Sequence, residues 1–530
     1  MNALLSWTES PISQQLPGLA GYFLGIVLLV DIIHRVWRWH RLRHVPGPVL
    51  AGWTSLWLGM RYLKGTYLQD VSALADKYGP VVRIAPNKVF CSDVETLHRI
   101  GGARSEYRKS EWYTIARISR HADNVFTLTD PALHKARRKQ IMPGYSGKDT
   151  AQFEEGIDRA LAAWIDLIDR KYLSTPEKVV YMNLEEKSHF YTLDAMGEIA
   201  WSDPLGFLKH DRDVKNVLAF KNATVRLLVL IGDYVAFWRT IRKWPFYYLL
   251  PNDGSEVGFG AFAGSASKIL AKRSRPDAGR KRDMLQSFID HGLGKEELVQ
   301  EVAFQFVAGA DTTSSLFNVA IYLLLTHPAA YARLQAELDA AAPAPAPAPA
   351  ADASASAAPF LSDAQARALP YLQAVVRETL RLFPPLAGAQ LYKEVPPGGD
   401  AMCGRALPGG TLVATGGTPW HIGRDRAFWG ADADCFRPER WLEEAERAET
   451  AGAGAGSERL AQMVRRVEMV FGCGRFVCAG RAVAHAEAGK VIGELVRRYN
   501  WSLANPLDPP SIYINGVWMV RNFWVKVEKR

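Results

Sequence analysis

Apolar side chains recur at helical spacing through residues 151–173, 212–240, 296–327, 362–382 and 481–498, the clearest periodic segments of the chain. Short apolar runs bounded by turn residues are fewer. Val81–Ile84, Lys88–Cys91, Gly410–Ala414, Ser511–Ile514 and Phe523–Val527 read as strands. The pattern predicts a mainly α protein with small β-sheets. Two stretches carry no period. Residues 340–359, AAAPAPAPAPAADASASAAP, alternate Ala with Pro, which favours extended polyproline conformations and leaves nothing to bury. Residues 443–457, EEAERAETAGAGAGS, read as a helix end running into a loop. Both are expected as surface insertions in one body spanning 51–530, because no linker divides it.

Ahead of that body the pattern changes. Leu16–Val30 is apolar without interruption, and Ile32, Ile33, Val36 and Trp37 extend the run past Asp31. Residues 16–37 are thus long enough for one transmembrane helix. Arg35, Arg38, Arg41 and Arg43 follow, whereas residues 1–15 hold no Lys or Arg, so the positive-inside rule sets 1–15 on the lumenal side and the rest in the cytosol. A cleaved signal peptide would need a positive n-region and a small-residue cleavage site, and both are missing. A buried core helix is the other reading, since Asp31 shortens the strictly apolar stretch. Residues 38–50 are basic and Pro-rich, and Val45-Pro46-Gly47-Pro48 cannot continue a helix, so they form a stiff hinge.

Composition narrows the class. Of 530 residues, 48% are hydrophobic and 22% charged, which suits a large core and excludes wholesale disorder. The net charge of +9 fits an anionic membrane surface or an acidic partner, or simply a solvated surface. No basic run resembles a nucleic-acid motif, so no nucleic-acid partner is expected. The five cysteines are odd in number and widely spread, which is not a disulfide framework and points to a reducing compartment.

One cysteine stands in a distinctive run, Phe471-Gly472-Cys473-Gly474-Arg475-Phe476-Val477-Cys478-Ala479-Gly480, directly ahead of the helix predicted from Arg481. Glycines let backbone approach a flat group closely, and a helix N-terminus favours thiolate over thiol. Cys473 is the rival ligand, but it lacks the Gly two residues later. The run resembles the haem-binding loop of the cytochrome P-450 family, Phe-x-x-Gly-x-x-x-Cys-x-Gly. The resemblance implies that Cys478 is the axial ligand of haem iron, a thiolate that favours O–O cleavage, and that Phe471, Gly474 and Gly480 shape the loop around the cofactor. The family's basic residue two before the cysteine is Phe476 here; Arg475, one earlier, is the propionate contact in its place.

Further motifs follow in the family's order. Glu378-Thr379-Leu380-Arg381 sets an acid and a base three apart on one helix face, alone an ordinary surface pair of little worth. With Phe436-Arg437-Pro438-Glu439-Arg440-Trp441 downstream, the resemblance implies a buried structural triad of Glu378, Arg381 and Arg440. Ala308-Gly309-Ala310-Asp311-Thr312-Thr313 is by composition a locally weak stretch of helix. In the family this is where the helix loosens over the haem and admits dioxygen, with Thr312 and Asp311 handling the proton, which is general-acid work. His134 and Arg138 share a helix face. The resemblance makes them, with Lys393, propionate contacts; each alone reads equally as a solvated side chain.

The implied fold is that of a cytochrome P-450: a single triangular-prism haem domain behind one N-terminal transmembrane helix. The implied activity is insertion of one oxygen atom from O2 into an apolar small molecule by haem b (iron protoporphyrin IX). No flavin or dinucleotide motif is present, so electrons are expected from NADPH through a separate NADPH–cytochrome P-450 reductase meeting Arg475 and Arg481, at the endoplasmic reticulum membrane. The Pro-Glu-Arg-Trp ending and the His-x-x-x-Arg variant resemble fungal members of secondary metabolism acting on terpenoids, polyketides or alkaloids. Tyr113, Phe126, Phe237, Leu386, Ala387 and Trp518 are expected around the substrate. Two other readings stand: a reductase-independent isomerase or dehydratase, whose family members often lose the acid–threonine pair, and a non-catalytic haem-binding protein.

Overall fold

The computed structural model describes residues 25–26, 29–118, 122–150, 153–241, 243, 259–341, 359–450 and 455–530. These residues are mainly helical with small sheets. Their contacts divide into two compact units, Met1–Asp93 with Glu394–Ala414 and Val94–Lys393 with Thr415–Arg530, where the sequence pattern drew one body from residue 51.

In the first unit, residues 29–41 are helical, and Ile32, Ile33, Val36 and Trp37 on that helix are exposed. Much of the apolar run expected to span a membrane falls on residues 1–24, 27 and 28, outside the described residues. Among the described residues no helix is long and apolar enough to cross a membrane. Three helices follow, α1 (Val49–Trp53), α2 (Leu56–Lys64) and α3 (Tyr67–Tyr78). Strand β1 (Val81–Ala85) pairs antiparallel with β2 (Lys88–Cys91), and β2 pairs parallel with β5 (Leu412–Ala414). Between them in sequence lies the hairpin of β3 (Asp400–Met402) and β4 (Arg405–Leu407). The Pro-rich hinge is locked to this sheet. The Arg83 amide donates to the Pro46 carbonyl at 2.7 Å, and the buried Arg83 guanidinium donates to the Arg38 and Trp39 carbonyls at 3.0 and 3.1 Å. A side chain at Gly47 would overlap the Arg83 carbonyl, so only glycine fits there.

The second unit is built around long helices: α4 (Val94–Gly101), α5 (Pro131–Tyr145), α6 (Leu184–Trp201), α7 (Val217–Gly232), α8 (Lys295–Thr326), α9 (Pro370–Leu382) and α10 (Arg481–Arg498). The periodic segments become helices, with breaks where local chemistry requires them. Residues 362–382 divide at Pro370, which starts α9 where its missing N–H costs nothing. Residues 212–240 divide at Asp233 and Tyr234. Helix α6 escapes the periodicity reading because it is buried on nearly every side and so carries no polar stripe. Residues 443–457 are more ordered than expected: Glu439–Thr450 and Ala455–Glu468 are helices, with 451–454 outside the described residues, as are 342–358 of the Ala-Pro insertion. At the C-terminus β6 (Tyr499–Leu503) pairs with β9 (Trp524–Lys529), and β7 (Ser511–Asn515) forms a hairpin with β8 (Val517–Arg521). Of these, β6 and β8 have no counterpart in the sequence expectation.

Candidate active site

A cavity of ≈ 940 Å³ lies within the second unit. Its walls include Leu97 and Ile100 of α4, His134 and Arg138 of α5, Phe220 and Ile231 of α7, Phe304 to Thr313 positions of α8, and Phe471 to Gly480 positions of the cysteine loop. The accessible surface of Cys478 opens into this cavity. Burial raises its thiol, while the Gly480 amide hydrogen bond and the charges of Arg138 and Arg481 pull the other way, toward thiolate.

The loop is held by its backbone. The Cys478 amide donates to the Phe471 carbonyl at 2.7 Å, and Arg138 donates to the Val477 carbonyl at 2.7 Å. Gly480 caps α10 with an ordinary φ of −83°, and a Cβ there would meet nothing within 4 Å. The space above it belongs to the cavity. Phe471 also lines the cavity and packs on His485, ring centroids 4.9 Å apart.

Two residues expected at the cofactor are elsewhere. Gly474 is not on the cavity wall: with φ +55° it presses on the Gly101 backbone of α4, where any Cβ would overlap the Gly101 carbonyl. Arg475 is also off the wall; it is half-buried and donates to the Tyr107 carbonyl. Arg481 is exposed, with Glu468 at 3.7 Å.

His134, Arg138 and Lys393 do line the cavity, together with Lys109, which sequence reasoning missed because one lysine in a two-residue strand carries no pattern. Lys109 is buried, donating to the Val125 and Phe126 carbonyls at 2.8 and 3.0 Å, and Lys393 donates to the Tyr113 hydroxyl. Burial, then the charges of Lys109, Arg138, Lys393 and Arg475, push His134 down to about 3. Burial likewise lowers Lys393 to about 7. The Arg475 Nε is buried without a partner. Lys109, whose ammonium is pushed down by burial and by the charges of Lys393 and Arg138, lines one cavity with those two cations and neutral His134, a site for anionic groups. The two carboxylates of an iron protoporphyrin are such groups, and a flat porphyrin would bring its iron to a thiol as soft as that of Cys478. The residues present fit the cofactor.

Helix α8 is continuous from Lys295 to Thr326, without the loosened turn that was expected. Gly309 has a packing reason: a Cβ there would lie 2.5 Å from Met196 Sδ of α6. The Thr312 hydroxyl donates to the Ala308 carbonyl at 2.8 Å and lines the cavity beside Asp311. Asp311 is tied down by residues that the motif does not contain. Lys221 of α7 donates to it at 2.9 Å, and His189 Nε2 of α6 lies 3.4 Å away. Lys221 Nζ also sits 3.0 Å from His189 Nε2, and His189 Nδ1 donates to the Glu185 carbonyl. Burial raises the Asp311 carboxyl, but Lys221 and His189 outweigh it and hold the group at about 2.

The structure brings Glu378, Arg381 and Arg440 together without exposure. Arg381 forks onto Glu378 at 2.7 and 2.9 Å, and Arg440 Nε donates to it at 3.0 Å. Trp441 Nε1 and the Arg437 amide complete the carboxylate's partners at 3.0 and 3.1 Å. Of the residues expected around the substrate, Tyr113, Phe126, Leu386 and Ala387 line the cavity. Phe237 is exposed and Trp518 meets Phe383 edge to face; their neighbours Trp238 and Val517 line the cavity instead.

Fold and site together set a cysteine loop and buried cationic side chains on one cavity with a long helix carrying an acid and a threonine. Comparison with known proteins agrees. The family model for Cytochrome P450 matches residues 44–525. Cytochrome P450 monooxygenase ABA1 of Pyricularia oryzae is 32% identical over 98% of this chain and 99% of its own length. Cytochrome P450 monooxygenase aba1 of Botryotinia fuckeliana is 32% identical over 92% of each chain. Cytochrome P450 monooxygenase cicH of Emericella nidulans is 30% identical over 92% of this chain and 94% of its own. The chain belongs to the cytochrome P450 family and is a haem-thiolate monooxygenase, an oxidoreductase.

Proposed function

We propose that this monooxygenase holds haem b through Cys478, receives electrons from NADPH through a separate reductase, and oxidises an apolar small molecule of fungal secondary metabolism, a terpenoid, polyketide or alkaloid. The observation that carries the reading is one largely apolar cavity shared by the Cys478 thiol and the Asp311–Thr312 pair. The fungal sources of the similar monooxygenases support the setting.

When bound, a haem-thiolate group activates dioxygen so that one oxygen atom enters the substrate and the other leaves as water. The chain's own residues do the rest. Cys478 Sγ would be the metal ligand, steadied by the Gly480 amide. His134, Arg138 and Lys393 would hold the porphyrin carboxylates, joined by Lys109. Tyr113, Phe126, Phe304 and Leu386 exclude water and orient an apolar substrate. Thr312 Oγ1 passes a proton toward the reacting oxygen and Asp311 governs its supply. Residues 16–37 anchor the chain in the endoplasmic reticulum membrane, with 1–15 lumenal and the haem body cytosolic; exposed Ile32, Ile33 and Val36 suit a lipid setting.

The test is a comparison of metabolite extracts from the host with and without the gene, grown under 18O2. A missing product one labelled oxygen heavier than the compound that accumulates supports the proposal. An isomeric pair, or a pair differing by water, overturns it in favour of the reductase-independent reading.

A further inference from the structure

Outside the cavity, the first unit contains a pair of thiols with no role in the reaction described above. Cys91 ends β2 with no exposed surface, and Cys403 occupies the tip of the β3–β4 hairpin, exposed. The two thiols are in hydrogen-bond contact. The hairpin is fixed in that position. Met402 is fully buried beneath it, and Arg405 donates to the Tyr78 carbonyl at the end of α3 at 3.2 Å. Cys403 itself has φ +48° and Gly404 +76°, the left-handed pair of a tight hairpin turn, so the turn fixes where the Cys403 Cβ projects.

We propose that Cys403 and Cys91 form a reversible disulfide in response to a hydroperoxide, a modification site separate from the haem pocket. Cys403 reacts first, because it is exposed. Its thiolate attacks the peroxide; an S–O bond forms, the O–O bond breaks, and water or an alcohol leaves, giving a sulfenic acid. Cys91 then loses its proton and attacks that sulfur. The S–S bond forms, the S–O bond breaks and water leaves, so that two electrons pass from the thiols to the peroxide. Contact with Cys403 and burial push the Cys91 thiol well up, which suits a resolving thiol rather than the first to react. In a reducing compartment such a bond is transient, as redox-sensing disulfides are.

The full-length protein, loaded with haem in lipid nanodiscs, is treated with hydrogen peroxide, quenched with N-ethylmaleimide and digested without reductant. A Cys91–Cys403 cross-linked peptide that disappears with dithiothreitol and is absent from Cys403→Ser is the expected result. In Cys91→Ser, dimedone should trap a sulfenic acid at Cys403, a readout independent of how well Cys403→Ser folds. Alkylation of both thiols after peroxide, or oxidation of Cys403 alone in the wild-type chain, would overturn the proposal.

Discussion

Asp311 is part of a legible motif, but its state is set by Lys221 and His189, which no motif contains. Its carboxyl, held at about 2, lies below the ordinary value near 4, so its ionisation stabilises the fold above that ordinary value and the contribution is lost as pH falls through about 2. Lys221→Met removes the largest opposing charge and leaves His189 alone against burial, so the folded pKa moves up and the stabilisation at neutral pH is lost. The variant should lose about 3 kcal/mol at pH 7, with the deficit shrinking toward pH 4; melting curves across that range measure it. Thr312 bonds only the Ala308 carbonyl of its own helix, so Thr312→Ala should fold normally. Product per NADPH consumed should fall on the order of 10²-fold, with peroxide released in its place; a coupling assay decides.

At the scale of elements, the Glu378 carboxylate joins α9 to the segment carrying Arg437, Arg440 and Trp441. Its partners are buried, so Glu378→Gln leaves two guanidinium groups short of a counter-charge, at a cost of about 3–5 kcal/mol. The expected result is a lowered melting temperature and reduced haem incorporation, read from absorbance per mole of protein. The cysteine loop is fixed against α4 by backbone packed on backbone at Gly474 and Gly101. Gly474→Ala combines overlap with a disfavoured φ, so about 3 kcal/mol should be lost and haem content should fall. Gly309→Ala is the milder case: its Cβ meets the buried Met196 side chain at Sδ and Cγ rather than backbone, and the gain in helix propensity offsets part of the overlap, so about 1–2 kcal/mol should be lost. The elements themselves were legible where one face is polar, as in α9 and α10. They were not legible in α6, whose surroundings are apolar on all sides.

At the scale of the whole molecule, the reading joins a lumenal N-terminus to a cytosolic haem body. In sealed microsomes, added protease should digest the body while an epitope at residue 1 stays protected, and alkaline carbonate should leave the chain in the membrane. Digestion of the epitope without detergent would refute that orientation. The sequence by itself determined the family, the cysteine loop that lines the cavity and the Glu378–Arg381 pair, because these rest on neighbouring residues in one loop or one helix turn. Only the tertiary structure added Lys109 to the cavity wall where the sequence expectation had set His134, Arg138 and Lys393. Residue 109, the helix turn 134–138 and residue 393 are far apart in the chain, and burial in one pocket, not spacing, brings them together. It also turned Arg475 toward the Tyr107 carbonyl and gave Gly309 a packing reason, since both depend on what another segment places opposite them.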